Sequence, residues 1–212
     1  MNKVTIIITC YNQREYIAEA IQSALDQTVP CDIVVVDDGS SDGSGDVIMQ
    51  FPVTYIRQSN KGVSEARNTA IRCSNTEYIF PLDGDDKIDP STIEKCLLAE
   101  EDIVGTGMQT FGDYESTTLF KEYPNLEDFK VYNSVTCSAL FKKSMWQEVG
   151  GYDSAVHGYE DWDLWLRLAN LGYTFRVIQE PVLVYRKHGI SLVNTGTANH
   201  SKYLKYMLAK IS

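Results

Sequence analysis

A chain of 212 residues with 43% hydrophobic and 23% charged residues has the makeup of a soluble globular protein, large enough for one sizeable core or two small ones. Its formal net charge of −10, with no basic stripe, argues against a nucleic-acid partner. Five scattered cysteines without a C-x-x-C pair suggest neither a disulfide framework nor a structural zinc site.

The opening Met1-Asn2-Lys3 leads into "VTIIIT" (4–9), a β-branched run too short for a signal peptide. Nowhere does an apolar run approach the ~20 residues that span a bilayer. The expectation is a cytoplasmic protein, or one domain of a longer one. "EYIAEAIQSALDQ" (15–27) carries apolar residues at helical spacing, and "DIVVV" (32–36) is again strand-like. The turn-rich "DDGSSDGS" follows it, then "VTYIRQ" (53–58), a helix "VSEARNTAIRC" (63–73) and a strand "EYIFPL" (77–82). Continuous apolar strands separated by helices predict an α/β fold with a mostly parallel sheet flanked by helices. Ligands of such sheets bind beyond the carboxyl ends of the strands, so "TCYN", "VDDGSSD" and "LDGDD" should share one rim.

The second half is more mixed. A helix over about 91–99 is predicted, then hairpin strands in "IVGTGMQTF" and "STTLF", a strand "SALF" (138–141) and a short helix stopped by Gly150-Gly151. "YEDWDLWLRLANLGY" (159–173) is a strong helix ended by Gly172. Strands "TFRVI" (174–178) and "VLVY" (182–185), a polar loop and a last helix complete the chain. Without a linker or repeat, residues 1–212 read as a single domain. Its regularly alternating half would be 1–100 and a smaller, mixed half 101–212.

Three clusters of acids raise the question of function. Asp83, Asp85 and Asp86 are either a solvated turn, with Asp86 or Asp89 capping the next helix, or oxygen ligands for Mg²⁺ or Mn²⁺ holding a diphosphate. Asp37 and Asp38 are either part of an Asx-rich turn or acceptors for a base N–H or a ribose hydroxyl. Glu160, Asp161 and Asp163 either stabilise a helix N-terminus, which suffices for Asp163, or include a partly desolvated general base.

In this order, "TIIITCYNQREYIAEAIQSALDQT", "IVVVDDGSSDGS", "NKGVSEARN", "YIFPLDGDD" and "GYEDWDLWLRL" resemble family 2 glycosyltransferases of the GT-A fold, a likeness covering residues 3–188. The resemblance implies a metal-dependent, inverting transfer of one sugar from a nucleotide-diphospho-sugar, with a UDP-sugar favoured. The recipient would be a hydroxyl of a glycan, lipid-linked or protein-linked acceptor. It implies Thr9, Tyr11 and Asp38 around the nucleoside, Arg67 on the base or diphosphate side, and Asp83 on the ribose. It further implies Asp85 as metal ligand in a D-x-D motif, with His188 completing the site for Mn²⁺ or Mg²⁺. Asp161 would be the catalytic base, and Glu160 and Trp162 would face the acceptor.

The Q-x-x-R-W motif of processive synthases is absent, "YRKHG" standing near its place, which predicts one sugar per encounter. The last helix, "SKYLKYMLAKI", could dock on the domain, on a partner or peripherally on a membrane; the domain is the expected site. A nucleotidyltransferase that makes nucleotide sugars would want a glycine-rich phosphate loop after the first strand, and "TCYNQREY" has no glycine. A catalytically silent sugar-nucleotide or glycan-binding domain is the other alternative, against which the joint presence of Asp85 and Asp161 argues.

Overall fold

The computed structural model describes residues 2–187 and 199–211. Strands β1 (Val4–Cys10), β2 (Asp32–Asp37), β3 (Thr54–Arg57) and β4 (Tyr78–Asp83) run parallel in the order β3-β2-β1-β4. Helices α1 (Ile17–Leu25), α2 (Ser44–Ile48) and α3 (Val63–Cys73) connect them. Every residue of β1 is buried because helices cover both faces of the sheet. Side chains alternate between two cores: Ile7, Val34, Val36 and Ile79 enter one, Ile6, Ile8, Val35 and Phe80 the other. α1 buries Ile17, Ala20, Ile21 and Ala24, one stripe at 3.6-residue spacing.

The same sheet continues through the second half in the order β4-β8-β6-β9-β5. It adds β5 (Lys87–Ile88), β6 (Ile103–Gly112), β8 (Leu140–Lys142) and β9 (Phe175–Lys187), with β7 (Ser116–Thr118) hanging on β6. The mixed character comes from β8, which pairs antiparallel with both β4 and β6, and from β5 and β7, antiparallel to β9 and β6. The two strands expected at 174–178 and 182–185 are one, β9, despite Pro181. Proline cannot donate to a ladder. Here the register shifts between Thr106 and Met108, so a bulge accommodates it and pairing resumes at Leu183.

Helices α4 (Thr92–Leu97), α5 (Leu126–Phe129) and α6 (Lys143–Glu148) are short. α7 (Glu160–Asn170) is buried nearly all round, the acids Glu160 and Asp163 included, with Trp162, Leu164, Trp165, Leu166 and Leu168 in the core. The last helix, α8 (His200–Leu208), docks on the domain, with Met207 fully buried and Tyr203, Leu204 and Leu208 against the same core. Burying Met207 contributes about 1.5–3 kcal/mol. Beyond it, Lys210 Nζ reaches Asp153 at 2.6 Å and Asp163 at 2.5 Å. Among the described residues, no helix is long and apolar enough to cross a membrane.

Candidate active site

The parallel register sets Thr9 opposite Asp83 and Cys10 opposite Asp37, so the three acid-bearing or polar loops do share one rim. The two acids after β2 behave differently. Asp37 is fully buried and accepts from Ser40 N at 2.7 Å and the Tyr55 hydroxyl at 3.1 Å, bracing the turn. Asp38 accepts from Gln58 Nε2 (2.7 Å), Lys61 N (2.9 Å) and Gly62 N (2.8 Å). Three donors leave its carboxylate one further lone-pair direction. Thr9 is buried, and its hydroxyl lies 3.5 Å from Asp83 Oδ1. Tyr11, by contrast, is 50% exposed and presents a ring on which a planar base can lie.

At the end of β4 the chain turns hard. A Cβ on Gly84 would stand 2.5 Å from Gln13 Oε1 and 2.8 Å from the Thr9 carbonyl, so only glycine fits. The acids around it have separate tasks. Asp83 Oδ1 accepts from Arg67 at 2.7 Å, and Asp83 Oδ2 from the Cys137 thiol at 3.4 Å. Asp86 is buried and accepts from Arg186 N at 2.8 Å. Burial, together with the charges of Asp85 and Asp83, pushes its carboxyl well above the usual range. It therefore caps no helix; Asp89 instead bonds Ser91 N at 2.9 Å. Asp85 stays half-exposed at the turn, its carbonyl held by Arg186 Nε at 2.9 Å. Arg186 also covers the rings of Tyr16 and Phe111, so β9 clamps the D-x-D turn from the other half of the chain.

Arg67 links these carboxylates to α7. It is only 3% exposed; one amino group donates to Asp83, the other to Glu160 Oε1 at 3.0 Å. Burial opposes its charge, but Asp83, Cys137 and Glu160 outweigh that and hold the guanidinium firmly protonated. So it is neither a surface ion pair nor a group offered openly to a nucleotide. Glu160 Oε2 accepts from Gly158 N at 2.9 Å, so both its oxygens are engaged within the protein.

Asp161 is half-buried beside this bridge, accepting from Trp162 N at 2.9 Å and Asn133 Nδ2 at 3.0 Å. Burial, then the neighbouring Glu160, pushes its carboxyl up to about 6, the Arg67 charge acting in the opposite direction. A carboxylate near that value can take a proton at neutral pH. Trp162 is 5% exposed, and its indole N–H donates to the Phe129 carbonyl at 2.6 Å. The expectation that it faces an acceptor is thereby corrected: it packs the core and anchors α5. Asp163 is not a simple helix-start acid either, being fully buried between Arg167 (2.7 Å) and Lys210. His188 lies outside the described residues.

Four residues were not singled out by the motifs. Asn68 fastens α3 to the loop before α7, accepting from Trp146 Nε1 (3.0 Å) and Tyr152 N (2.9 Å) and donating to Tyr152 O (2.9 Å). Cys137, Arg186 and Asn133 act on Asp83, the D-x-D turn and Asp161 respectively. Only Asn68 and Arg186 sat inside stretches that drew attention; a lone cysteine and a lone loop asparagine carry no signal in one sequence.

The family model "Glycosyl transferase family 2" matches residues 5–150, and "Glycosyltransferase like family 2" matches 106–209. The chain belongs to glycosyltransferase family 2. It is 27% identical over 98% of its length to the Escherichia coli chondroitin synthase, of which it spans 33%. It is 32% identical over 64% of its length to glycosyltransferase GlyA of Streptococcus pneumoniae serotype 4, of which it spans 21%. The chain thus corresponds to a third or less of these two relatives. Among solved structures, S. aureus TarS (residues 1–349) in complex with UDP-GlcNAc superposes with a TM-score of 0.81 at 18% identity, covering 99% of this chain and 65% of that one. The mannosyltransferase PcManGT of Pyrobaculum calidifontis, with GDP-Man and Mn²⁺, gives 0.71 at 20% identity, covering 98% and 63%. The fold of this family 2 member is therefore of the GT-A type.

Proposed function

We propose that the protein is a metal-dependent, inverting transferase moving one sugar from a nucleotide-diphospho-sugar, a UDP-sugar first, to a hydroxyl of a glycan, lipid-linked or protein-linked acceptor. One observation carries this: Arg67 holds Asp83, at the end of β4, and Glu160, at the start of α7, at 2.7 and 3.0 Å. Two carboxylates far apart in sequence, read here as donor-side and acceptor-side, thereby meet at one buried cation. Tyr11 supplies the surface for the base and Asp38 its remaining acceptor for a base N–H. Thr9 and Asp83 line the ribose side, and Arg67 supports the donor through Asp83. Glu160 orients the acceptor side through the bridge and its hold on Gly158.

Of these acids, Asp85, half-exposed at its turn, is the one placed to meet a hard divalent cation held largely by the donor. Asp83 and Asp86 are engaged by Arg67, Cys137 and Arg186, and no group of three or more potential ligands is present among the described residues. Asp85 and, as proposed, His188 would hold Mn²⁺ or Mg²⁺ together with diphosphate oxygens. When bound, the ion would neutralise charge on the leaving nucleoside diphosphate. Asp161, ionised, takes the proton of the acceptor hydroxyl as that oxygen attacks the anomeric carbon opposite the leaving group, so an α-linked donor gives a β-linked product. The proposed setting is the cytoplasm, with peripheral contact to a membrane left to surfaces other than the apolar side of α8, which is docked on the domain.

Melting curves with UDP, GDP, CMP and dTDP, each with and without Mn²⁺, test the donor assignment. UDP with Mn²⁺ at about a hundredfold excess over its Kd should add about 2.7 kcal/mol, a rise of roughly 5–10 °C. Asp85→Ala should lose the Mn²⁺-dependent part of that rise. A preference for GDP would replace the base; silence toward all four would overturn the assignment.

A further inference from the structure

We propose that Asn133 is a positioning residue for the catalytic carboxylate, fixing the direction in which Asp161 presents its proton-accepting oxygen. The inference rests on the proposed role of Asp161 and concerns a residue in none of the family-like stretches. Asn133 Nδ2 donates to Asp161 Oδ2 at 3.0 Å, while Asp161 Oδ1 accepts from the helix backbone at Trp162 N. One oxygen is thus fixed by the helix on which Asp161 stands, and the other by a side chain arriving from a different part of the fold.

The segment that brings Asn133 there is held on both sides. Before it, Trp162 Nε1 holds the Phe129 carbonyl at the end of α5. After it, Val135 is buried with Cγ1 only 2.6 Å from where a Cβ on Gly105 would be, so it seats on β6 because residue 105 has no side chain. The amide pays a local penalty for its orientation: Asn133 Oδ1 is buried without a partner. An amide carbonyl facing a carboxylate would be repelled, so the acid dictates that the N–H points inward and leaves that oxygen unmatched.

The charges around Asp161 show why such a donor matters. Glu160, on the same helix, favours the protonated acid and Arg67, from α3, favours the ionised one. Cys137 and Tyr152 also face it, as a thiol and a phenol that burial keeps neutral. Against burial and Glu160, an N–H aimed at the charged form keeps the base available.

Carboxyl ¹³C NMR of aspartate-labelled protein, with the Asp161 resonance assigned by its loss in Asp161→Asn, reads this directly and needs no substrate. Wild type should titrate near 6. Asn133→Ala should raise that midpoint by about half a unit or more, and Asn133→Asp should raise it further by adding a like charge. The UDP and Mn²⁺ melting response of both variants, which reports the donor side, should match wild type and shows that the fold is intact. An Asn133→Ala midpoint that stays put or falls overturns the proposal while leaving the base assignment untouched. Transfer retained in Asp161→Asn would remove the base itself, and this inference with it.

Discussion

Asp161→Asn is expected to lose transfer by about 10²–10⁴-fold, the usual contribution of a positioned general base, and at the same time to make the protein more stable. The second half follows from the folded-state value near 6 against an unfolded value of 3.8. A carboxyl whose value is raised by folding destabilises the native state when ionised. That cost is fully present above pH 6 and relieved as pH falls through 6 toward the unfolded value. Two units correspond to about 2–3 kcal/mol, so the variant should melt roughly 4–12 °C higher at pH 7.5, with the gain vanishing below about pH 4. The replacement amide can still accept from Trp162 N, and a turned Asn133 can offer it the oxygen that now lacks a partner. In wild type, transfer should decline as pH drops through about 6, where Asp161 takes up its proton. Denaturant melts at both pH values and a transfer assay check these statements; a destabilised variant, or full turnover, would contradict them.

Arg67→Met should have the largest structural effect. It leaves Asp83 and Glu160 facing one another without the cation that bridges them at 2.7 and 3.0 Å. Removing one partner of a buried ionic cluster costs about 3–5 kcal/mol, a fall of roughly 6–20 °C in melting temperature. Glu160, with an 8% exposed side chain, would keep only the Gly158 N–H. Arg67→Lys should recover little, because a single ammonium cannot reproduce a fork whose two amino groups bond different acids. Adding Glu160→Gln to Arg67→Met should regain part of the loss by removing one of the stranded charges. Nucleotide response should fall with Arg67→Met as well, since Asp83 loses its anchor. A variant melting like wild type would show that the bridge does not hold the site.

Sequence patterns were informative where periodicity or residue type is dictated locally. β1, β2 and β4 show in runs such as "VTIIIT" and "DIVVV" because two-sided burial demands continuous apolar residues, and α1 and α3 show in their helical spacing. The rim of acids followed from the parallel direction of the strands, which gathers their carboxyl ends along one edge. β9 was misjudged because Pro181 normally ends a strand, and only the partner strand's irregular register shows that it does not. α5 and β5 are too short to leave a periodic trace. Among the site residues, the pairing of Asp83 with Glu160 through Arg67 joins positions on β4, α7 and α3, and no spacing rule spans such distances. Trp162 was misassigned, and the burial of Asp163 missed, for a related reason: an acid or an indole at a helix start looks the same whether it faces water or the interior, and packing against Lys210 or Phe129 decides which.

The grip of Lys210 on Asp163 has a practical bearing. Asp163 lies two positions beyond the proposed base, fully buried, and it draws on this lysine as well as on Arg167. Trimming the protein ahead of residue 210 would therefore unbalance the helix that bears the reacting aspartate, although the cut falls far away along the chain. An expression design that preserves this tail should outlast a shortened one in limited proteolysis and should hold its activity for longer on warming.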